Sequence, residues 1–418
     1  MTQSTPLTLR PEVPAHGGAV VAREADGRVV FVHYALPGET VEVRPRGKRG
    51  GAALASVERV LEASPDRVDP RCRYFGECGG CHWQHARYEA QLGFKRKAVE
   101  DVWSRAGLRL PPDTPVLGME DPWRYRVRGE FEGIYHLNTF ELGFHRLRSH
   151  AVLAIRECPI HHQRIEDGMN AFRQAAGELG VKGIKHLLLT AEPAGPGLLW
   201  DLRVEGRAGA LREELGARAA ELLPEVVLLD DSMDLEFWGL HFRVRSDTFV
   251  QANQRQMPVL YRTALDMLGL APGEKVLDLY SGIGTLSLAA AREAGSVTAV
   301  EENPRAVSLG RLAARINGVA NVEFLTGRVE TVLRQVRLGE HDAVLADPPR
   351  AGFEQGAVAE LMRLGPARIA YVSCEPSTQA RDIALLIRAG YRVRRAAIVD
   401  MFPQTYHIES VVLLERAA

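Results

Sequence analysis

The chain has 418 residues, 46% of them apolar and 25% charged, the composition of a globular protein large enough for two or three domains with their own cores and without need of disulfides. Its 52 Lys and Arg against 53 Asp and Glu leave a formal charge of -1, so overall charge gives no support to nucleic-acid binding. No window approaches the run of about 18 apolar residues that a membrane span needs, and MTQSTPLTLRPEVP lacks the basic and apolar regions of a signal peptide; a cytoplasmic protein is expected.

Residues 14–61 alternate like short strands separated by turns: GAVVARE, DG, RVVFVHYA, LPGE, TVEVRPR and ALASVERVLE. Asp-Gly between two alternating runs is a hairpin signal. A small β-barrel is expected, a fold that often holds oligonucleotides. Two local patches, RPRGKRG at 44–50 and WRYRVRGE at 123–130, set Arg and Lys beside turns and aromatic residues. Either patch can meet phosphates, or be a solvated hairpin tip and a salt-bridged strand.

From about 62 to 250 the pattern is mixed. YEAQLGFKRKAVEDVWSRAG has a helical period, whereas RYRVRGEFEGIYH, FELGFHR, IKHLLLTAE, GLLWDLRVEG and FRVRSDTFVQ read as strands, which predicts an α+β domain on an antiparallel sheet. It contains Cys72, Cys78 and Cys81 in CRYFGECGGC, and Cys158 in RECPIHH. Three clustered thiols and a distant fourth can ligate a tetrahedral zinc or a [4Fe–4S] cluster, and spacing does not separate the two.

From about 255 onward, KVLDLY, SVTAVEE, NVEFLTG, HDAVLADPP and RIAYVSC alternate with TLSLAAAREAG, PRAVSLGRLAARING and TQARDIALLIRAG. Strict alternation predicts a parallel, doubly wound sheet, closed by YRVRRAAIVDMFP and HIESVVLLER as an antiparallel pair. In such sheets ligands sit beyond the carboxyl ends of the strands. Gly282 and Gly284 in DLYSGIGT permit a tight turn and close approach of a nucleotide-like ligand, while Ser287 stands where a dinucleotide fingerprint wants Gly or Ala. Asp278 suits a cationic ligand better than a pyrophosphate. Glu301, 17 residues beyond Gly284, is placed to accept ribose hydroxyls. These features favour S-adenosylmethionine over NAD.

Asp347 in ADPPR and Cys374 in VSCEP end neighbouring strands and should face one crevice. Amides of the helix opened by Pro376 are expected to lower the pKa of the thiol. Asp400, His407 and Glu409 follow in DMFPQTYHIES. A thiolate and a general base beside a methyl donor are what methylation of an unactivated pyrimidine carbon needs: attack at C6 makes C5 enolate-like, and a base then removes the C5 proton.

DLYSGIGT, LADPPRAG, VSCEPSTQARD and DMFPQTYHIES closely resemble the motifs of bacterial RNA uracil-5-methyltransferases, and FVQAN at 249–253 resembles that family's Gln motif. The barrel with its LPGE resembles the family's TRAM domain. The resemblance implies an α/β chain with three domains: a TRAM barrel of OB-like fold at 1–61, a central α+β domain with a metal cluster at 62–250, and a Rossmann-like class I methyltransferase domain at 251–418. It implies that Cys374 is the nucleophile and Glu409 the base, and that Gln251, Tyr280, Glu301 and Asp347, with the loop residues Gly282, Gly284 and Thr285, contact S-adenosylmethionine or hold the target base. Two positions depart from the commoner pattern, Ser281 where the family usually carries Cys and Thr285 where Asn is frequent.

CGGCHWQH further resembles the cluster segment of the ribosomal RNA members. That implies a structural [4Fe–4S] cluster on Cys72, Cys78, Cys81 and Cys158, and 23S ribosomal RNA as substrate, with transfer RNA possible. A monomer is expected. An amino-group methyltransferase of the Asp-Pro-Pro type and a non-catalytic RNA-binding protein are the competing readings. Neither needs Cys374 or Glu409.

Overall fold

The structure is a computed structural model and describes residues 7–136, 139–181, 183–204 and 208–417. Residues 1–6 of the expected barrel and 205–206 of GLLWDLRVEG lie outside the described residues.

Near the N-terminus six strands form one sheet, in which Val29–His33 runs parallel to Ala52–Glu62 and the other pairs are antiparallel. The first strand is split. Leu7–Leu9 pairs with Thr40–Arg49 at one edge of the sheet, and Val13–Pro14 pairs with Ala19–Arg23 at the other. One short segment thus reaches both edges of the sheet, whose core gathers Val20, Val30, Val32, Val41 and Val43.

A second, mainly antiparallel sheet is built on Arg128–His136, Thr139–His145, Ile184–Ala191 and Gly197–Val204, four of the five strands expected in the central region. The fifth, in FRVRSDTFVQ, instead pairs as Leu240–Arg245 in a separate hairpin, and Val227–Leu229 joins the sheet in parallel at its edge. The helices Gln163–Glu178 and Ala208–Glu221, which periodicity did not single out, contribute Ile165, Met169, Phe172, Leu215 and Ala219 to the core of this layer.

The C-terminal sheet has eight strands. Taken across the sheet, Val322–Thr326, Ser296–Glu301, Lys275–Leu279, Ala343–Ala346 and Arg368–Ser373 are parallel, Glu409–Arg416 runs antiparallel beside them, and Tyr391–Val399 follows antiparallel to Glu409–Arg416. The chain reverses its direction of winding between Lys275–Leu279 and Ala343–Ala346, which opens a crevice at the carboxyl ends of those strands. This is an α/β methyltransferase fold.

Three pieces from before residue 251 pack with this sheet. Val116–Leu117 adds an edge strand parallel to Tyr391–Val399. Helix Tyr88–Arg105 buries Ala98, Val99 and Trp103 against Leu277, Ile383 and Val412. The hairpin of Ser232–Phe237 and Leu240–Arg245 alternates strictly, and its apolar face lies in the same core as Val276.

Candidate active site

The strand Arg368–Ser373 ends at Cys374, and its antiparallel neighbour begins at Glu409. Ser373 faces Ser410 in the register, so the next step along each strand brings Cys374 level with Glu409. Asp347 follows Ala346, which pairs with Tyr371, and therefore emerges at the same sheet end. The fields of Glu409 and Asp347 both reach the Cys374 thiol. The three acidic groups expected to act together are thus gathered at one point of the crevice.

The loop after Asp347 is braced from the helix Pro376–Arg388. Asp382 is fully buried and accepts from Phe353 N–H at 2.9 Å and Tyr371 O–H at 2.9 Å, while Thr378 Oγ1 donates to Arg350 O at 2.9 Å. The bracing fixes Asp347 relative to Cys374. It leaves the Arg350 side chain exposed beside the thiol.

Desolvation governs the electrostatics. Glu409 is 5% exposed, and burial, then Asp347, holds its carboxyl well above the usual range against the opposing pull of Lys95 and Arg350. Burial raises Asp347 to about 6, although part of its surface still meets solvent. The Cys374 thiol is pushed up to about 12, by burial first and then by Glu409 and Asp347. The expectation that helix amides lower this pKa is therefore overturned. The helix terminus is already engaged, since the Glu375 carboxylate accepts from Ser377 N–H at 3.3 Å, and two acids face the thiol.

The loop around Gly282 and Gly284 has backbone conformations that allow close approach of a ligand. Tyr280, Gly282 and Gly284 all have positive φ, and a Cβ on Gly284 would come within 2.6 Å of the Phe324 ring. Glu301 accepts Gly282 N–H at 3.0 Å and Asn303 N–H at 2.8 Å, so it anchors the loop in addition to any ligand it meets. Thr285 opens the short helix after the loop. Burial raises Asp278 to about 7, and Ser287 Oγ–H donates to it. The Ser281 hydroxyl is buried in the same loop with no partner among the described residues, a polar atom that a nucleoside can satisfy. Gln251 is buried, and its side chain bonds that of Tyr261, whose pKa responds to Asp347.

Of the acids in DMFPQTYHIES, Asp400 is turned away from the thiol. It is fully buried, accepting from Lys95 Nζ at 2.5 Å and Tyr88 O–H at 2.8 Å. Lys95 was not legible as a site residue, because its partner is 305 positions away. Of the basic patches, Arg124 and Arg128 are spent within the fold, on Glu166 at 2.8 Å and on Ser246 O at 2.7 Å.

The four remaining cysteines share a neighbourhood. Cys81 is buried, and burial raises its thiol well above the ordinary value, with Cys158, Cys78 and Cys72 each adding to the shift. Cys158 is raised to about 12, burial again leading and Cys72 and Cys78 contributing. All four are free thiols. Among the described residues, no three or more His, Cys, Asp or Glu side chains converge tightly enough to hold a single metal ion. None of the helices among these residues is long and apolar enough to cross a membrane.

Residues 217–417 match the family model described as tRNA (Uracil-5-)-methyltransferase. The chain is 35% identical to the 23S rRNA (uracil(1939)-C(5))-methyltransferase RlmD of Shewanella amazonensis, an alignment spanning 99% of this chain and 96% of the relative. The chain belongs to the RNA uracil-C5-methyltransferase family. It is also 34% identical to an uncharacterised RNA methyltransferase of Halalkalibacterium halodurans, over 96% of this chain and 94% of that one. Its fold is similar to that of the Pyrococcus abyssi tRNA (uracil-54, C5)-methyltransferase solved with S-adenosyl-L-homocysteine, with a TM-score of 0.75 at 22% identity over 98% of this chain and 100% of that one. The family assignment makes this an RNA-modifying enzyme and sets aside the amino-group and non-catalytic readings.

Proposed function

We propose that this methyltransferase moves the methyl group of S-adenosylmethionine to C5 of a uridine in 23S ribosomal RNA, through a covalent adduct between Cys374 Sγ and C6. The observation that carries the proposal is the strand register that sets Cys374 level with Glu409, with Asp347 emerging beside them.

In the proposed sequence the thiolate of Cys374 adds to C6, and the electron pair of the C5–C6 double bond moves toward C5 and O4. C5 then takes the methyl group, the donor's sulfur keeping the electron pair of the broken bond. Glu409 removes the C5 proton, the C6–S bond breaks, the double bond re-forms and the thiolate is regenerated. The raised pKa values fit this order. A cationic methyl donor beside Asp347, Glu409 and Cys374 favours their ionised forms, so nucleophile and base become active when the donor is present. Asp278 and the Gly282–Gly284 loop belong to the donor's side of the crevice, and Cys374 and Glu409 to the base's side.

Ribosomal RNA is favoured by the near full-length similarity to relatives named for it. Transfer RNA is the second reading, supported by the description of the matched family model. The N-terminal barrel acts as the TRAM module, and Cys72, Cys78, Cys81 and Cys158 hold the [4Fe–4S] cluster. What supports this assignment is that Cys72 and Cys78 each add to the raised pKa of both Cys81 and Cys158, which brings the four free thiols into one neighbourhood. The cluster's part is to tie segments together: His82 and Trp83 N–H donate to Gln404 O at 2.9 and 3.0 Å, and Gly79 N–H to His145 O at 3.1 Å.

The proposal is tested by incubating the protein with S-adenosylmethionine and 23S or transfer RNA transcripts containing 5-fluorouridine. Fluorine cannot leave as a proton does, so the adduct should persist through denaturing electrophoresis, with 23S transcripts only. Turnover without any trapped species would reject the covalent route; trapping of tRNA alone would reject the substrate.

A further inference from the structure

A cleft of about 450 Å³ has Cys374 in its lining and brings together side chains from all three regions of the chain. His33 comes from the barrel, Arg148 from the turn after Thr139–His145, and Arg350, Tyr406 and His407 from the catalytic half. Tyr406 and His407 stand with ring centroids 4.5 Å apart, forming an aromatic wall. The arginines are what the reaction chemistry does not explain.

Many arginines of the chain are neutralised by carboxylates. Arg146 pairs with Glu77, Arg156 with Glu141, and Arg381 with Asp382. Arg148 is held differently, its Nη2 donating to His33 Nε2 at 2.6 Å. His33 is 7% exposed, and burial first, then Arg148 itself, lowers its pKa to about 4, so the imidazole is a neutral acceptor. A neutral acceptor orients a guanidinium without cancelling its charge, whereas a carboxylate does both. Among the described residues, neither Arg148 nor Arg350 forms an ion pair with a carboxylate, although the field of Arg350 reaches Glu409 and Glu375 also lines the cleft. Arg148 also has φ 54°, a left-handed conformation that costs a non-glycine residue energy and persists at sites where the side chain must be aimed.

We infer that Arg148, oriented by its hydrogen bond to His33, and Arg350 in the lining of the same cleft form a phosphate clamp for the RNA strand that delivers the target uridine to Cys374. This deepens the proposed RNA reaction and rests on it for the identity of the strand. The ligand is a phosphodiester group, gripped across the seam between barrel, central region and catalytic half. The clamp sets where along the strand a base can reach the thiol.

The test measures binding alone, by fluorescence anisotropy of a labelled 23S rRNA hairpin over a salt series, so it does not depend on turnover. Arg148→Gln should weaken binding about tenfold and reduce the slope of log affinity against log salt by about 0.7 to 0.9, the loss of one phosphate contact. Arg148→Lys should keep the slope. His33→Gln keeps a neutral acceptor and should bind like wild type, whereas His33→Asp neutralises Arg148 and should behave like Arg148→Gln. An unchanged slope in Arg148→Gln, or wild-type binding by a folded His33→Asp protein, overturns the clamp. Failure of the methylation proposal would appear elsewhere, as absence of 5-methyluridine from RNA that the wild type binds.

Discussion

Lys95 Nζ lies 2.5 Å from Asp400 Oδ1, with both side chains fully buried, and the same ammonium donates to His407 O at 2.7 Å and Phe402 O at 3.1 Å. One lysine of the helix Tyr88–Arg105 thus holds the turn that leads into Glu409. Burial pulls the lysine's pKa down and Asp400 opposes the pull. Lys95→Met leaves Asp400 buried without its ammonium and should cost about 3–5 kcal/mol of stability. Combining it with Asp400→Leu should restore much of the unfolding midpoint. Methylation should remain low in the double variant, because the carbonyls of Phe402 and His407 still lack their donor. Recovery of both properties together would show that the pair acts on stability alone.

Cys374→Ala should abolish methylation and adduct formation while S-adenosylmethionine binds nearly as before. The thiol lies level with Glu409 on the base's side, whereas the donor loop is held by Glu301 through Gly282 N–H. Isothermal titration of the donor against wild type and variant separates the two effects. Full activity of the variant excludes the thiol as nucleophile.

Donor affinity should rise with pH. Asp278 is raised to about 7, Asp347 to about 6, and Glu409 well above its ordinary value, in each case chiefly by burial. A carboxyl whose folded pKa exceeds its unfolded pKa favours folding fully below the unfolded value of about 4, and that contribution is lost as pH climbs through the folded value. The empty protein should therefore lose stability between about pH 4 and 7 through Asp278 and Asp347. A cationic donor compensates the charges that form, so its affinity should increase across the same window. Melting curves and donor titrations from pH 5 to 8 check both signs, and affinity that falls with pH would remove these acids from the donor site.

Most of the catalytic sheet was legible, because buried parallel strands such as AVLA at 343–346 and IAYVS at 369–373 are continuous apolar runs between helical periods. Cys374 and Glu409 stood out in the sequence as candidate groups, but the register that sets them level lies between Arg368–Ser373 and Glu409–Arg416, a pairing the predicted closing pair did not announce. What pairs across long separations left no local signal. Val116–Leu117 is too short to show a period, the split first strand reads as one segment, and nothing near Lys95 announces Asp400. The thiol's raised pKa escaped for a related reason, since it depends first on burial and then on two acids that other strands supply.

Cys81→Ser should remove iron and loosen the catalytic turn together. Protein purified without oxygen should be brown and hold about four irons per chain if the four thiols carry a [4Fe–4S] cluster. The variant should lose colour and iron. Because residues 82 and 83 donate to Gln404 O, exchange of the amides in the 402–407 turn with solvent should also accelerate. Stoichiometric zinc in place of iron would reject the cluster, and iron loss without faster exchange would reject the coupling.

Glu409→Gln separates the base from the nucleophile. The carboxylate faces Cys374 across the strand pair and is screened from water, so no solvent base readily takes its place. If Glu409 removes the C5 proton, the variant should still attack C6 and accept the methyl group, but it cannot restore the double bond that expels the thiolate. It should accumulate as a methylated protein–RNA adduct that survives denaturing electrophoresis with ordinary uridine, whereas Cys374→Ala forms none. His407 offers only slow substitution, since burial first and the neighbouring Arg350 next lower its pKa to about 4 and leave it a weak base. Labelled methyl groups should therefore follow the adduct band on the gel, and the band should decay slowly as pH rises. A variant that turns over like wild type, or is inactive with no adduct, moves the role to Asp347, the other acid at that sheet end.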